Sequence, residues 1–153
     1  MAFYQFKREQ LINSTISEVW DFISRPQNLK RITPNYIGFD IRTPDLPDAA
    51  YEGMIIAYTV RPLLAIPTTW ETEITHVVPQ KYFVDEQRVG PYQLWHHEHH
   101  IEAVENGVLM KDIVSYSPPL GFLGRIANTL IIRRKLEEIF DYRTKAFEEI
   151  FPG

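Results

Sequence analysis

Residues 95–101 read Trp-His-His-Glu-His-His-Ile, and they hold four of the five histidines of a 153-residue chain. Imidazole titrates near neutral pH, so it serves as general acid, general base or metal ligand. In a strand the side chains alternate, which puts Trp95, His97, His99 and Ile101 on one face and His96, Glu98, His100 and Glu102 on the other. The face flanked by Trp95 and Ile101 is the apolar one and is expected to point inward. His97 and His99 then lie about 6–7 Å apart along the interior side of the strand.

Carboxylates and a phenol are expected beside them. Glu105-Asn106-Gly107 is a hairpin signal, and the strand after it carries Met110, Asp112, Val114 and Tyr116 on its inward face. A buried Asp112 needs a partner, because an unpaired charge in the interior is costly, and a histidine can supply one. From the preceding strand Phe83, Asp85 and Gln87 are expected to face in, with Tyr82, Val84 and Glu86 outward. Trp70 shares a face with Thr72, Ile74 and His76 and is read as a wall of the same pocket.

Three chemistries fit this cluster. Asp85, Gln87, His97, His99, Asp112 and Tyr116 can satisfy one another as a polar network that orients a ligand's head group, since buried polar groups normally pair. Alternatively His97 or His99, tuned by a carboxylate, acts as a general base, with Tyr116 donating to a developing oxyanion. His97, His99, Asp112 and Tyr116 are the catalytic candidates of that reading. In the third, two histidines at i and i+2 with an aspartate hold zinc or iron. Spacing supplies no third ligand, so the network is preferred, and neither a metal nor a cofactor is expected.

The elements that position these residues are legible around them. Residues 3–12 alternate as a first strand. Asn13-Ser14-Thr15 offers caps to a short helix stopped at Arg25-Pro26, and a second helical turn covers residues 27–32. Residues 36–42, 54–60, 68–78, 82–89, 93–104 and 108–117 then read as successive strands. Their short connections require antiparallel neighbours. After Pro118-Pro119-Leu120-Gly121 the period changes. Phe122, Ile126, Thr129, Ile132, Leu136, Ile139, Phe140, Arg143, Phe147 and Ile150 mark one stripe of a helix of roughly 30 residues. The expected architecture is α+β: about seven antiparallel strands curved around a long C-terminal helix, with two short helices after the first strand.

Bulk composition agrees. Hydrophobic residues make up 44% of the chain and charged residues 24%, the balance of an ordinary globular domain. No linker divides residues 1–153, so a single domain is expected. The formal charge of −4 argues against a nucleic-acid partner, and the absence of cysteine excludes disulfides and thiolate chemistry. No signal peptide or membrane-spanning apolar run is present in the sequence, which makes the cytoplasm the default compartment.

The order of elements, with Ser17-Glu18-Val19-Trp20-Asp21-Phe22-Ile23-Ser24, Ile32-Thr33-Pro34, Phe83-Val84-Asp85-Glu86-Gln87, Gly90-Pro91-Tyr92, Trp95-His96-His97-Glu98-His99 and Met110-Lys111-Asp112-Ile113-Val114-Ser115-Tyr116, resembles the SRPBCC superfamily nearly end to end. These helix-grip domains include START lipid-binding proteins, birch-pollen-allergen-like proteins, polyketide cyclases and coenzyme Q-binding proteins. The resemblance implies a cavity between sheet and helix for a lipid, polyketide or quinone-like molecule. It does not imply one mechanism, because carriers and enzymes of cyclase or dehydratase type share the scaffold. A binding protein is the first expectation and such an enzyme the alternative.

Expected ligand-binding residues are Trp70, Phe83, Asp85, Gln87, Trp95, His97, His99, Asp112, Val114 and Tyr116, with Leu63, Phe122 and Ile126 at the entrance. Leu63, Leu64, Ile66, Leu120 and Phe122 sit in connections that normally face water. They read either as a core extension or as an apolar gate hinged at Gly121 and Gly124. The apolar sector of Leu123, Ala127, Leu130 and Ile131 leaves three uses open: a cap on the cavity, a homodimer contact, or contact with a membrane surface.

Overall fold

Alternation along the strands and a 3.6-residue stripe along the C-terminal helix demand two layers, and the computed structural model has them. It describes residues 3–61, 66–119 and 121–153, with Gly121 and Phe122 through their backbone. Strands β1 (Tyr4–Ile12), β2 (Gly38–Ile41), β3 (Ile55–Val60), β4 (Thr68–Val78), β5 (Tyr82–Val89), β6 (Leu94–Val104) and β7 (Gly107–Ser117) form one sheet. Its order is β1-β7-β6-β5-β4-β3-β2, and every neighbouring pair is antiparallel. This is the helix-grip arrangement, an open seven-stranded sheet closed by a long C-terminal helix.

Between β1 and β2 lie α1 (Ile16–Ile23) and a 3₁₀ segment, Pro26–Ile32. Thr15 caps α1 by accepting a hydrogen bond from the Glu18 amide at 3.2 Å, so Asn13-Ser14-Thr15 does serve as capping chemistry. The C-terminal helix runs through α2 (Gly121–Ala127), a π segment (Asn128–Ile132) and α3 (Arg133–Ile150).

Two phase defects correct the simple alternation. A bulge between Ile74 and His76 interrupts β4 against β5. Trp70, Thr72 and Ile74 are therefore buried, while His76 is exposed instead of sharing their face. An inserted residue reverses every later side chain, and the partly buried Val77 takes the inward place. The π segment does the same to the helix. Its wider turn delays the buried stripe, which runs through Asn128, Ile132, Leu136, Phe140 and Arg143. Ile126 and Thr129 consequently lie exposed, off the stripe expected for them. Val84 keeps its outward direction but is not exposed. It is buried on the outer face, flanked by His76 and Glu98 of the adjoining strands.

The core divides into a cluster joining α1, β7 and the end of α3, a cluster on β3, β4 and β5, and one joining β1 and β7 to the helix. At the β6–β7 hairpin Gly107 has φ +143°, and an added Cβ would come within 2.3 Å of the Ile12 carbonyl oxygen. Gly107→Ala is therefore expected to cost at least about 2 kcal/mol, measured by urea denaturation, because both the backbone angle and the contact with β1 oppose a side chain. An unchanged midpoint would contradict this.

Candidate functional site

Between the sheet and the C-terminal helix lies a cavity of about 290 Å³. Its walls are largely aliphatic and aromatic, with Ile56, Tyr58, Trp70 and Phe83 from the sheet and Leu136 and Phe140 from the helix. Asp85, His97, His99 and Arg143 line it as well and form one ionisable patch.

The register of β5, β6 and β7 builds that patch. Asp85 stands opposite His97, and His99 stands between Phe83 and Asp112 on its two neighbours. His97 Nε2 is 2.8 Å from Asp112 Oδ1, and His99 Nε2 is 2.5 Å from Asp85 Oδ2. The second contacts are longer, 3.4 Å from His99 Nδ1 to Asp112 and 3.9 Å from His97 Nδ1 to Asp85. The two imidazoles stack at 3.7 Å between centroids, and Phe83 stacks on His99 at 4.0 Å. Arg143 reaches down from α3 to place Nη2 3.7 Å from Asp112 Oδ1.

Charge follows from this packing. Burial would raise the Asp112 carboxyl, but Arg143 and the contacts with His97 and His99 outweigh it and hold Asp112 well below the usual carboxylate range. Asp85 is lowered in the same way, its burial offset first by the His99 hydrogen bond. Burial also opposes protonation of His99, yet its contacts with Asp112 and Asp85 lift it above an ordinary histidine. Burial and the charge of His99 push His97 down. The two rings are thus pushed in opposite directions, His99 toward the imidazolium and His97 toward the neutral form.

The expected site residues divide into distinct groups. Trp70, Phe83, Asp85, Trp95, His97 and His99 line the cavity. Asp112 lies beneath the histidines, buried and away from the cavity surface. Val114 is fully buried in the β1–β7–helix cluster. Gln87 is not a lining residue, because its amide clasps the backbone of Tyr92 through two hydrogen bonds of 2.7 and 3.1 Å. Tyr116 donates to Asn128 Oδ1 on the π segment and packs against Tyr4, Tyr92 and Trp95. That phenol is committed to holding the helix entry and does not line the cavity.

Ile126 is exposed. Leu63, Leu64 and Leu120 lie outside the described residues, as does the side chain of Phe122. Ile66 is exposed. Gly124 lines the cavity, and a Cβ there would meet the Pro119 carbonyl oxygen at 2.2 Å, so this glycine permits a close approach.

Arg143, Tyr58 and Tyr92 also line the cavity and were missing from the residue set expected of the sequence. A signal for Arg143 existed: it is the one charged residue on the apolar stripe of the helix. Asp85, His97 and His99 bring one donor atom each within 4.8 Å of one another, a spacing a metal ion could bridge. In this structure Nε2 of each imidazole is engaged with a carboxylate instead.

Two outcomes are expected. Asp112→Asn leaves the buried Arg143 without its counter-charge and should destabilise the fold by about 3–5 kcal/mol in urea denaturation. The pH dependence has a definite sign. His99 is raised, so its contribution is complete below the unfolded value of about 6.5 and is lost as pH rises through the folded value. Asp85 and Asp112 are lowered, and their contributions are complete above about pH 3.9 and lost as pH falls. His97 is lowered as well, and acts on the acid side of 6.5. Among Asp85, His97, His99 and Asp112, only His99 weakens the fold on the alkaline side. The Tm difference between wild type and His99→Gln should therefore narrow as pH rises above about 6.5. A difference that widens would reverse the assignment.

Comparison with known proteins adds the family. The family model described as polyketide cyclase / dehydrase and lipid transport matches residues 12–140. None of the curated proteins matches the chain in sequence. Solved structures match along nearly the whole length. A Chromobacterium violaceum protein has a TM-score of 0.72 at 9% identity, over 97% of this chain and 98% of its own. A Thermus thermophilus protein gives 0.68 at 12% identity, over 95% of both chains. Major latex-like protein 151 of Panax ginseng gives 0.67 at 9% identity, over 97% of both. At such identities the likeness shows the fold alone.

Proposed function

The chain belongs to the polyketide cyclase / dehydrase and lipid transport family, and from that premise we propose that it binds a small hydrophobic molecule between sheet and helix without transforming it. The observation that carries this reading is the cavity itself, an apolar chamber with one polar patch. Ligand sites are typically concave and mostly apolar, with a few convergent polar groups that fix orientation. A volume of about 290 Å³ sits at the small end of such sites, which favours a compact single-chain or few-ring ligand.

The polar patch supports orientation better than acid–base work. A general base needs a nitrogen that can meet the substrate's proton. Here Nε2 of each imidazole bonds a carboxylate, and the rings stack on each other and on Phe83. Tyr116, the expected oxyanion donor, is bonded to Asn128 and lines no part of the cavity.

The test uses a neutral apolar fluorophore, N-phenyl-1-naphthylamine. It is expected to bind with one-to-one stoichiometry and brighten on entering the cavity. Ala127→Phe, which adds a ring to a lining position of α2, should weaken binding on the order of tenfold while leaving the Tm within a few degrees. Absence of binding by the wild type, together with no co-purified small molecule in native mass spectra, would refute the proposal.

A further inference from the structure

Resting on that reading, the cavity's donors and acceptors narrow the ligand. Arg143 is 6% exposed and lines the cavity, its guanidinium carbon 5.0 Å above the Phe140 ring and 6.0 Å from that of Phe147. It donates no hydrogen bond to any described residue. Nε is buried without a partner, and the 3.7 Å from Nη2 to Asp112 is too long for a hydrogen bond. A guanidinium carries five donors and no acceptor, and it cannot escape the cost of burial by losing a proton.

The carboxylates nearby are each engaged through one oxygen. Asp112 takes His97, and Asp85 takes His99. Tyr58 and Tyr92 line the same cavity, and burial pushes both phenols up, which keeps them in the donor form. Neither hydroxyl is hydrogen-bonded to a described residue. Trp70 Nε1, by contrast, is satisfied within the wall by Thr72 Oγ1 at 3.2 Å. The interior therefore offers unspent donors at Arg143, Tyr58 and Tyr92.

We infer that Arg143 is the recognition residue of this cavity, donating to a neutral carbonyl-type oxygen on an otherwise apolar ligand. A carbonyl matches because it only accepts, and it completes a buried donor that has nothing else to bond. A carboxylate accepts as well, but it would bring a third negative charge beside Asp85 and Asp112 in a chamber of low dielectric. An alcohol or amine matches the guanidinium less closely, because each carries protons that Arg143, a donor only, cannot accept. A pure hydrocarbon would leave Arg143 unanswered.

Three probes of similar shape separate these cases: benzophenone, diphenylmethane and diphenylacetate, each titrated to displace N-phenyl-1-naphthylamine from the wild-type protein. Benzophenone is expected to displace it at about tenfold lower concentration than diphenylmethane, as a hydrogen bond to a charged donor requires. Diphenylacetate should be weaker than benzophenone. In Arg143→Met the two neutral probes should come within about twofold of each other, with diphenylmethane little changed. Should that variant not fold, the wild-type comparison still decides, and Arg143→Lys is expected to cut the preference to at most about threefold, since one ammonium cannot reproduce the planar fork. Equal binding of benzophenone and diphenylmethane overturns the role of Arg143, as does a preference that survives Arg143→Met. Tighter binding of diphenylacetate overturns the neutral class. If neither the fluorophore nor any probe binds, the cavity-binding reading itself falls, a result distinct from the loss of preference alone.

Discussion

A carboxylate in the middle of a β-sheet, out of reach of water, must be answered by protein charge. Asp112 sets that constraint here. It lies on β7, the strand that β1 and β6 flank on its two sides, and it is 2% exposed. Two of its answers, His97 and His99, come from the adjacent strand, and the third, Arg143, comes from the helix. Hydrogen bonding within the sheet would hold β6 to β7 in any case. The ion pair with Arg143 is different, because it ties the rotation and height of α3 to one residue of the sheet. Removing either partner strands the other in a medium that cannot solvate it.

The rest of the site is arranged around that tie. Phe83, His99 and His97 form a continuous stack, so His99 is covered by two rings and Nε2 of each imidazole is directed at a carboxylate. Phe140 and Phe147 underlie the guanidinium, and Arg143 lines the cavity beside them. At the other end of the helix, Tyr116 and Asn128 lock the π segment onto β7. The helix is thus pinned at two points, a charged one on α3 and a hydrogen-bonded one at the π segment, and the cavity is the space left over the sheet beside them. No helix among the described residues is long and apolar enough to cross a membrane. The exposed Leu123, Ile126, Leu130 and Ile131 lie on the outward side of the same helix.

Local pattern alone determined a good deal about this protein. Alternation and turn chemistry marked all seven strands. Thr15 as a cap and Pro26 as a stop bounded the first helix, and a change of period at residue 121 announced the last. The inward faces of β6 and β7 could also be read, so the meeting of His97, His99 and Asp112 was foreseeable from two adjacent strands and the hairpin joining them. Each of these inferences depends on residues a few positions apart, where backbone geometry makes side-chain direction periodic.

Tertiary structure decided what periodicity does not carry. One inserted residue in β4 turned His76 out, and one wide turn of helix turned Ile126 out. Such phase defects leave no mark in composition. Tyr116 was legible as inward but not as spoken for, because its partner Asn128 becomes a neighbour only when the helix docks. Arg143 is the sharpest case. On the sequence it is one polar interruption in an apolar stripe. Only the packing of helix over sheet places its charge against Asp112 and leaves its remaining donors to a cavity. The physical reason is range: chain geometry sets which way a side chain points, whereas its partner is chosen by contacts between segments far apart in the chain, and the chemistry of a site belongs to the partners.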